Sequence, residues 1–136
     1  MSKIRIAYLF LATLALVMAA ASCGAGSSGA GQLQSITVNP ASADAQNYPN
    51  GEVPFEATGH YVDPSHTVTP QAANWVACSQ NAPTSDVSVT SSGVGQCASG
   101  AKGTYQINAF VMTNCLAISA CGGGCTVVGS AQLTCP

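Results

Sequence analysis

From Leu33 onward the chain is written in short bursts of apolar residues at every second position, separated by turn residues. Ile36 and Val38 flank Thr37 and run into Asn39-Pro40. Val53, Phe55, Ala57, Gly59 and Tyr61 define one face of a longer run whose other face carries Glu52, Glu56, Thr58 and His60. Pro54 lies inside that run. Proline has no N–H to give to a ladder, so an edge position or a bulge is expected there. Asn74–Cys78 carries Trp75 and Ala77, Val87 and Val89 alternate with serines, and Ser91-Ser92-Gly93 makes a turn before Val94–Ala98. Tyr105, Ile107, Ala109 and Val111 alternate with Gln106 and Asn108, a strand with one buried and one wet face. Val127, Ala131 and Leu133 close the series. Period two is the period of a strand, and no window keeps helical spacing for long enough to matter. Six or seven short strands with turns every 8–12 residues predict an all-β fold, an antiparallel β-sandwich over residues 33–136. Its core comes from the inward residues of two sheets, with Trp75 as the natural centrepiece.

The start of the chain follows another pattern. Lys3 and Arg5 precede the apolar run Ala7–Ala21, which ends in small residues at Ser22-Cys23-Gly24. A basic stretch, an apolar stretch of this length and small residues before a break describe a secretory signal peptide over residues 1–22. The run falls short of the roughly 20 apolar residues that a membrane-spanning helix needs. Ala20-Ala21-Ser22-Cys23 resembles a bacterial lipobox, which implies that Cys23 is diacylated and opens the mature chain. The pattern departs from that box at Ala20, where Leu is usual, and the alternative is ordinary cleavage that leaves Cys23 a spare thiol. Residues 24–32, GAGSSGAGQ, form a Gly-rich linker that spans roughly 15–18 Å as a coil. Gly24 rather than Asp follows the candidate lipid cysteine, so in a two-membrane cell the lipoprotein resemblance implies the outer membrane.

Charge narrows the choice of partners. At 136 residues the chain has room for one domain of ordinary size. Beyond Arg5 a single cation, Lys102, stands against Asp44, Glu52, Glu56, Asp63 and Asp86, a formal charge of −4. Such a surface cannot neutralise a phosphate backbone, so no nucleic-acid partner is expected.

Six cysteines lie in the domain: Cys78, Cys97, Cys115, Cys121, Cys125 and Cys135. In an exported chain an even set reads as a disulfide framework, here three bridges with 15 connectivities open. Alternating strand direction puts Cys78, Cys97 and Cys135 at one pole and Cys115, Cys121 and Cys125 at the other. Cys78–Cys97 is then the preferred pair, and one bridge must carry the cysteine-rich segment across. Gly122-Gly123-Gly124 reads as a tight turn that lets Cys121 and Cys125 approach one another. The competing reading is zinc held by Cys115, Cys121 and Cys125 with His60 or His66. Their spacing is not that of a zinc knuckle, no Cys-x-x-Cys is present for redox work, and no metal or cofactor is expected.

Leu33-x-Ser-Ile-Thr-Val-x-Pro40 is similar to the opening strand of bacterial Ig-like domains of group 2, found in invasin- and intimin-like surface proteins. The likeness continues through Gly51-x-x-x-Phe55-x-Ala57-x-Gly59-x-Tyr61-x-Asp63, Trp75, Val87-x-Val89-x-Ser-Ser-Gly-Val94 and Gly103-Thr-Tyr-x-Ile107-x-Ala109. It departs at the insertion Thr113–Cys125 and in the six cysteines. The resemblance implies an Ig-like sandwich of about seven strands that serves as a spacer or adhesive module, with no catalytic residues.

Other candidates have simpler readings. His60 on a polar strand face and His66 after Pro64 read as surface residues, and Glu52 and Glu56 as solubilising charge. No Gly-x-Ser-x-Gly elbow marks a nucleophile. Asp44 and Asp63 lack the spacing of a calcium loop. The expected function is an exported, lipid-anchored, non-enzymatic module at the cell envelope, structural, adhesive or ligand-binding. Its membrane contact is the lipid on Cys23, and a surface protein or glycan is its further partner. The expected recognition loop is Thr113–Cys125, with Leu116 and Ile118 displayed. The alternative is a small exported metal-binding or redox protein that uses the cysteine cluster.

Overall fold

A computed structural model describes residues 31–111 and 115–136. The expected signal peptide, Cys23 and residues 24–30 of the expected linker lie outside the described residues, as do residues 113–114 of the insertion. The folded unit begins at Gly31, earlier than the boundary expected at Leu33. Gly31 is buried, and a Cβ there would stand 2.5 Å from the Val62 carbonyl, so the backbone packs where a side chain could not.

Eleven strand segments follow: β1 Gln32–Asn39, β2 Ser42–Asp44, β3 Glu52–Pro54, β4 Glu56–Val62, β5 His66–Val68, β6 Asn74–Ser79, β7 Ala82–Pro83, β8 Val87–Val89, β9 Val94–Cys97, β10 Gly103–Phe110 and β11 Val128–Cys135. One layer is the five-stranded sheet β2-β11-β10-β6-β7. The other is made by β1-β4-β5 and β3-β9-β8. These two pieces share one run of chain, because β3 and β4 are interrupted only at Phe55, whose N–H donates to the Gly93 carbonyl at 3.0 Å. The result is an all-β sandwich braced by three disulfides. Pro54 stands opposite Val94 at the end of β3, where the run breaks, as its missing N–H requires.

Alternation along the strands delivers the core. Val53, Phe55, Ala57 and Gly59 are buried while Glu52, Pro54 and Glu56 are exposed. They meet Ile36 and Val38 of β1, Val87 of β8, and Tyr105, Ile107, Ala109, Ala131 and Leu133 of the five-stranded sheet. Val53, Ile107 and Leu133 have no exposed surface, and each contributes about 1.5–3 kcal/mol by leaving water. Trp75 is not the centre. It is half-buried at the end of β6, opposite Ala109, and packs against the core from its margin. Gly93 makes that position available, since a Cβ there would meet both the Phe55 carbonyl and the indole ring.

The register defines two poles. Gln32 pairs with Val62, and Phe110 with both Asn74 and Val128, at one end. At the other, Gly103 pairs with Cys135, Thr134 with Asp44, and Glu52 with Gln96. We call the first the amino pole and the second the opposite pole. At the opposite pole the Tyr105 hydroxyl shares its one proton between the Lys102 carbonyl, three residues upstream, and Asp86 Oδ2, each at 3.2 Å. A tyrosine hydroxyl bonded to the backbone a few residues upstream is the arrangement called a tyrosine corner.

Among the described residues, besides two 3-10 turns at Ala45–Asn47 and Pro49–Gly51, one α-helix, α1 over Ala117–Gly122, departs from the all-strand reading. It has only six residues, too few for helical periodicity to register in the sequence.

Candidate functional site at the insertion

The segment between β10 and β11 folds back over the outer face of the five-stranded sheet. Cys115 and Cys125 are bridged, with Cα atoms 5.4 Å apart, and close the segment on itself. Cys121 of α1 is bridged to Cys78 of β6, Cα to Cα 5.6 Å, and pins the helix to the sheet. The third bridge, Cys97–Cys135, joins β9 to β11 at the opposite pole. Three bridges are present and one crosses from the insertion to the sheet, but the preferred Cys78–Cys97 pair is replaced. Cys78 is taken by the helix above it, which leaves Cys97 to its neighbour Cys135. The three glycines do not draw Cys121 to Cys125 either. Gly123, at φ 77°, ends α1 in the left-handed conformation, and the Gly124 N–H donates to the Ser119 carbonyl at 2.9 Å, a Schellman-type stop.

Under the helix lies Asn108, 1% exposed, at a position whose alternation predicts water. Its Nδ2 donates to the Ala120 carbonyl at 2.8 Å, and its Oδ1 has no hydrogen-bond partner among the described residues. A second small core, Phe110, Cys115 and Ala120 with Val76, Cys125 and Val128, seals the helix to the sheet. Asn108 was missed because burial of a strand's polar face depends on what folds over it. The cysteine-rich insertion next in sequence is the signal that could have found it.

With Ala120 and Cys121 turned inward, Leu116 and Ile118 project outward, 67% and 73% exposed. Beside them the amino pole is grooved. A cleft of about 730 Å³ runs between Pro54, Pro70, Trp75 and Ser91. A smaller one of about 410 Å³ continues past Trp75 and Phe110 to Leu116. A third, about 650 Å³, separates Gln32 and Val62 from Cys115 and Cys125. Connections at one end of a sandwich are where such folds build recognition surfaces.

The remaining candidates are scattered. His60 lies within 3.2 Å of the Thr37 hydroxyl, and the His66 ring stacks on Tyr61 with centroids 4.7 Å apart. The Asp44 carboxylate accepts from the Gln46 N–H, while Asp63 follows β4 at the other pole, so the two are not brought together. Glu52 and Glu56 are exposed. Each of the six domain cysteines is bridged, so none presents a thiolate. Among the described residues no three His, Cys, Asp or Glu side chains are grouped to hold a metal ion. Tyr105 has a displaced acidity. Loss of water around the ring, then the Asp86 carboxylate that accepts from its hydroxyl, raise its pKa.

Three disulfides belong to an oxidising, exported environment. Among the described residues no helix is long and apolar enough to cross a membrane. The chain matches no protein-family model and no curated protein. Function therefore rests on the geometry of the insertion and its pole.

Proposed function

We propose that the protein is an exported, lipid-anchored, non-enzymatic Ig-like module that makes an adhesive or structural contact at the cell envelope through its amino pole. The observation that carries this reading is the insertion, a helix held by two disulfides with Leu116 and Ile118 facing outward. Two large aliphatic side chains exposed on a rigid mount, beside the grooves of the same pole, offer an apolar spot for a contact. The tyrosine corner and the strand order support the Ig-like assignment, and the lipobox-like Ala20–Cys23 supports the anchor.

Two experiments test it. Intact mass of the protein from its producer's membranes should show a chain that begins at Cys23, carries acyl groups and offers no thiol to alkylation. Free thiols in the native domain would instead favour metal or redox chemistry. Replacing Leu116–Ser119 by Gly-Ser, with every domain cysteine kept, should abolish association with the envelope of the domain made without Cys23. Undiminished association would remove the insertion from the proposal.

A further inference from the structure

Where the chain enters the domain has a bearing on what Leu116 and Ile118 meet. Gln32 opens β1 at the amino pole, and one cleft is walled on one side by Gln32 and Val62 and on the other by Cys115 and Cys125. The tether and the insertion therefore leave the same end of the sandwich. The seven residues between Cys23 and Gly31 span only roughly 13–16 Å as a Gly-rich coil, so in an anchored chain the entry to β1 stays close to the membrane.

Charge is distributed to match. No charged residue occurs after Lys102, so the insertion and its flanks are wholly uncharged. Of the six charged side chains in the domain, Asp44, Glu52, Asp86 and Lys102 sit at the opposite pole, where they face away from the tether. Glu56, opposite Asn39, lines the cleft beside Trp75 and Asp63 follows β4, so the amino pole carries two acids and no cation. A surface whose tip is two exposed aliphatic side chains, with its only two charges away from that tip, can approach a lipid interface without stripping water from many ions. A surface built for an acidic or basic protein partner would carry the complementary charges, and here they are at the wrong end.

We infer that Leu116 and Ile118 dip into the bilayer to which the chain is anchored, so that the amino pole lies on the membrane and the opposite pole faces outward. The inference rests on the anchored reading above and names the partner of that same surface. Acyl chains hold the protein to the membrane, and the two side chains fix its tilt. Apolar side chains of this kind settle about 5–10 Å into the boundary between headgroups and acyl chains.

The test uses the full acylated chain, reconstituted in phosphatidylethanolamine–phosphatidylglycerol vesicles with brominated acyl chains. Ile118→Trp places a fluorophore at the tip, and Ser99→Trp places one in the loop at the opposite pole. Each is read as the difference from the parent chain, whose Trp75 is half-buried. Emission from position 118 should shift to the blue and fall about twofold, as for a side chain at that depth. Emission from position 99 should not change. Absence of alkylatable thiols in both variants shows that the three bridges have formed. Equal quenching at the two positions, or none at 118 in a chain whose mass shows acylation, overturns the inference and leaves the anchor standing. Burial of position 118 that requires a second protein, with no quenching by lipid, assigns the tip to that protein and also overturns it. A mass without acyl groups overturns the anchored reading, and the inference with it.

Discussion

At the scale of single residues, two side chains depart from what their positions in a strand suggest. Tyr105 holds its proton more tightly folded than unfolded, because the ring is withdrawn from water and Asp86 lies beside the hydroxyl. Below pH about 10 both states are neutral and the full contribution is present. As pH rises past that value the unfolded chain ionises first, so stability falls through the window up to the raised pKa. Urea midpoints measured from pH 8 to 11 should show this decline, and Tyr105→Phe should flatten part of it. Asn108 is the other case. Its amide supports the last turn of α1 through the Ala120 carbonyl, so Asn108→Ala should cost about 1–3 kcal/mol in urea unfolding followed by Trp75 fluorescence. A cost near zero would mean that the unpaired Oδ1 already cancels the benefit of the bond.

At the scale of elements, β1 lies close against β11. A Cβ on Gly129 would stand 2.7 Å from Ile36 Cγ2 and 2.8 Å from the Ile36 carbonyl oxygen. Gly129→Ala must push the strands apart and should cost about 1–3 kcal/mol, with the loss seen as faster amide exchange along β1. The bridges are ranked by the loops they close. Cys78–Cys121 and Cys97–Cys135, with separations of 43 and 38 residues, should each contribute about 4 kcal/mol. Cys115–Cys125, with a separation of 10, should contribute about 2.7 kcal/mol. Paired Cys→Ala variants in chemical denaturation check the order. The same elements mark how far the sequence could be read. Strands such as Val53–Gly59 and Tyr105–Ala109 were legible because burial alternates with the pleat, and the number of bridges followed from cysteine count and compartment. Pairing was not legible, since Cys78 chooses Cys121 only once α1 has folded over β6. The same overlay hides Asn108, and the groove at Trp75 was invisible because alternation reports which face a residue takes, not how near the end of the sandwich it lies.

At the scale of the whole molecule, the disulfides and the domain are inseparable. Their combined effect, about 10 kcal/mol, is of the order of the entire stability of a domain this size. The fully reduced chain should therefore lose its near-ultraviolet dichroism and its dispersed amide spectrum, and a reduced chain that keeps both would show the sandwich core to be sufficient. All three bridges close loops between Cys78 and Cys135, so nothing before Cys78 lies inside a covalent ring. The strand that continues the tether, β1, is held without any covalent link, by its hydrogen bonds to β4, its buried Ile36 and Val38 and the close fit at Gly129. In a chain anchored at Cys23, tension between the envelope and whatever grips the outer end would be borne by that seam, loaded in shear. Under such load β1 should slide out of its ladder as one unit while the cross-linked remainder keeps its shape, so the module would act as a fuse with a defined breaking point.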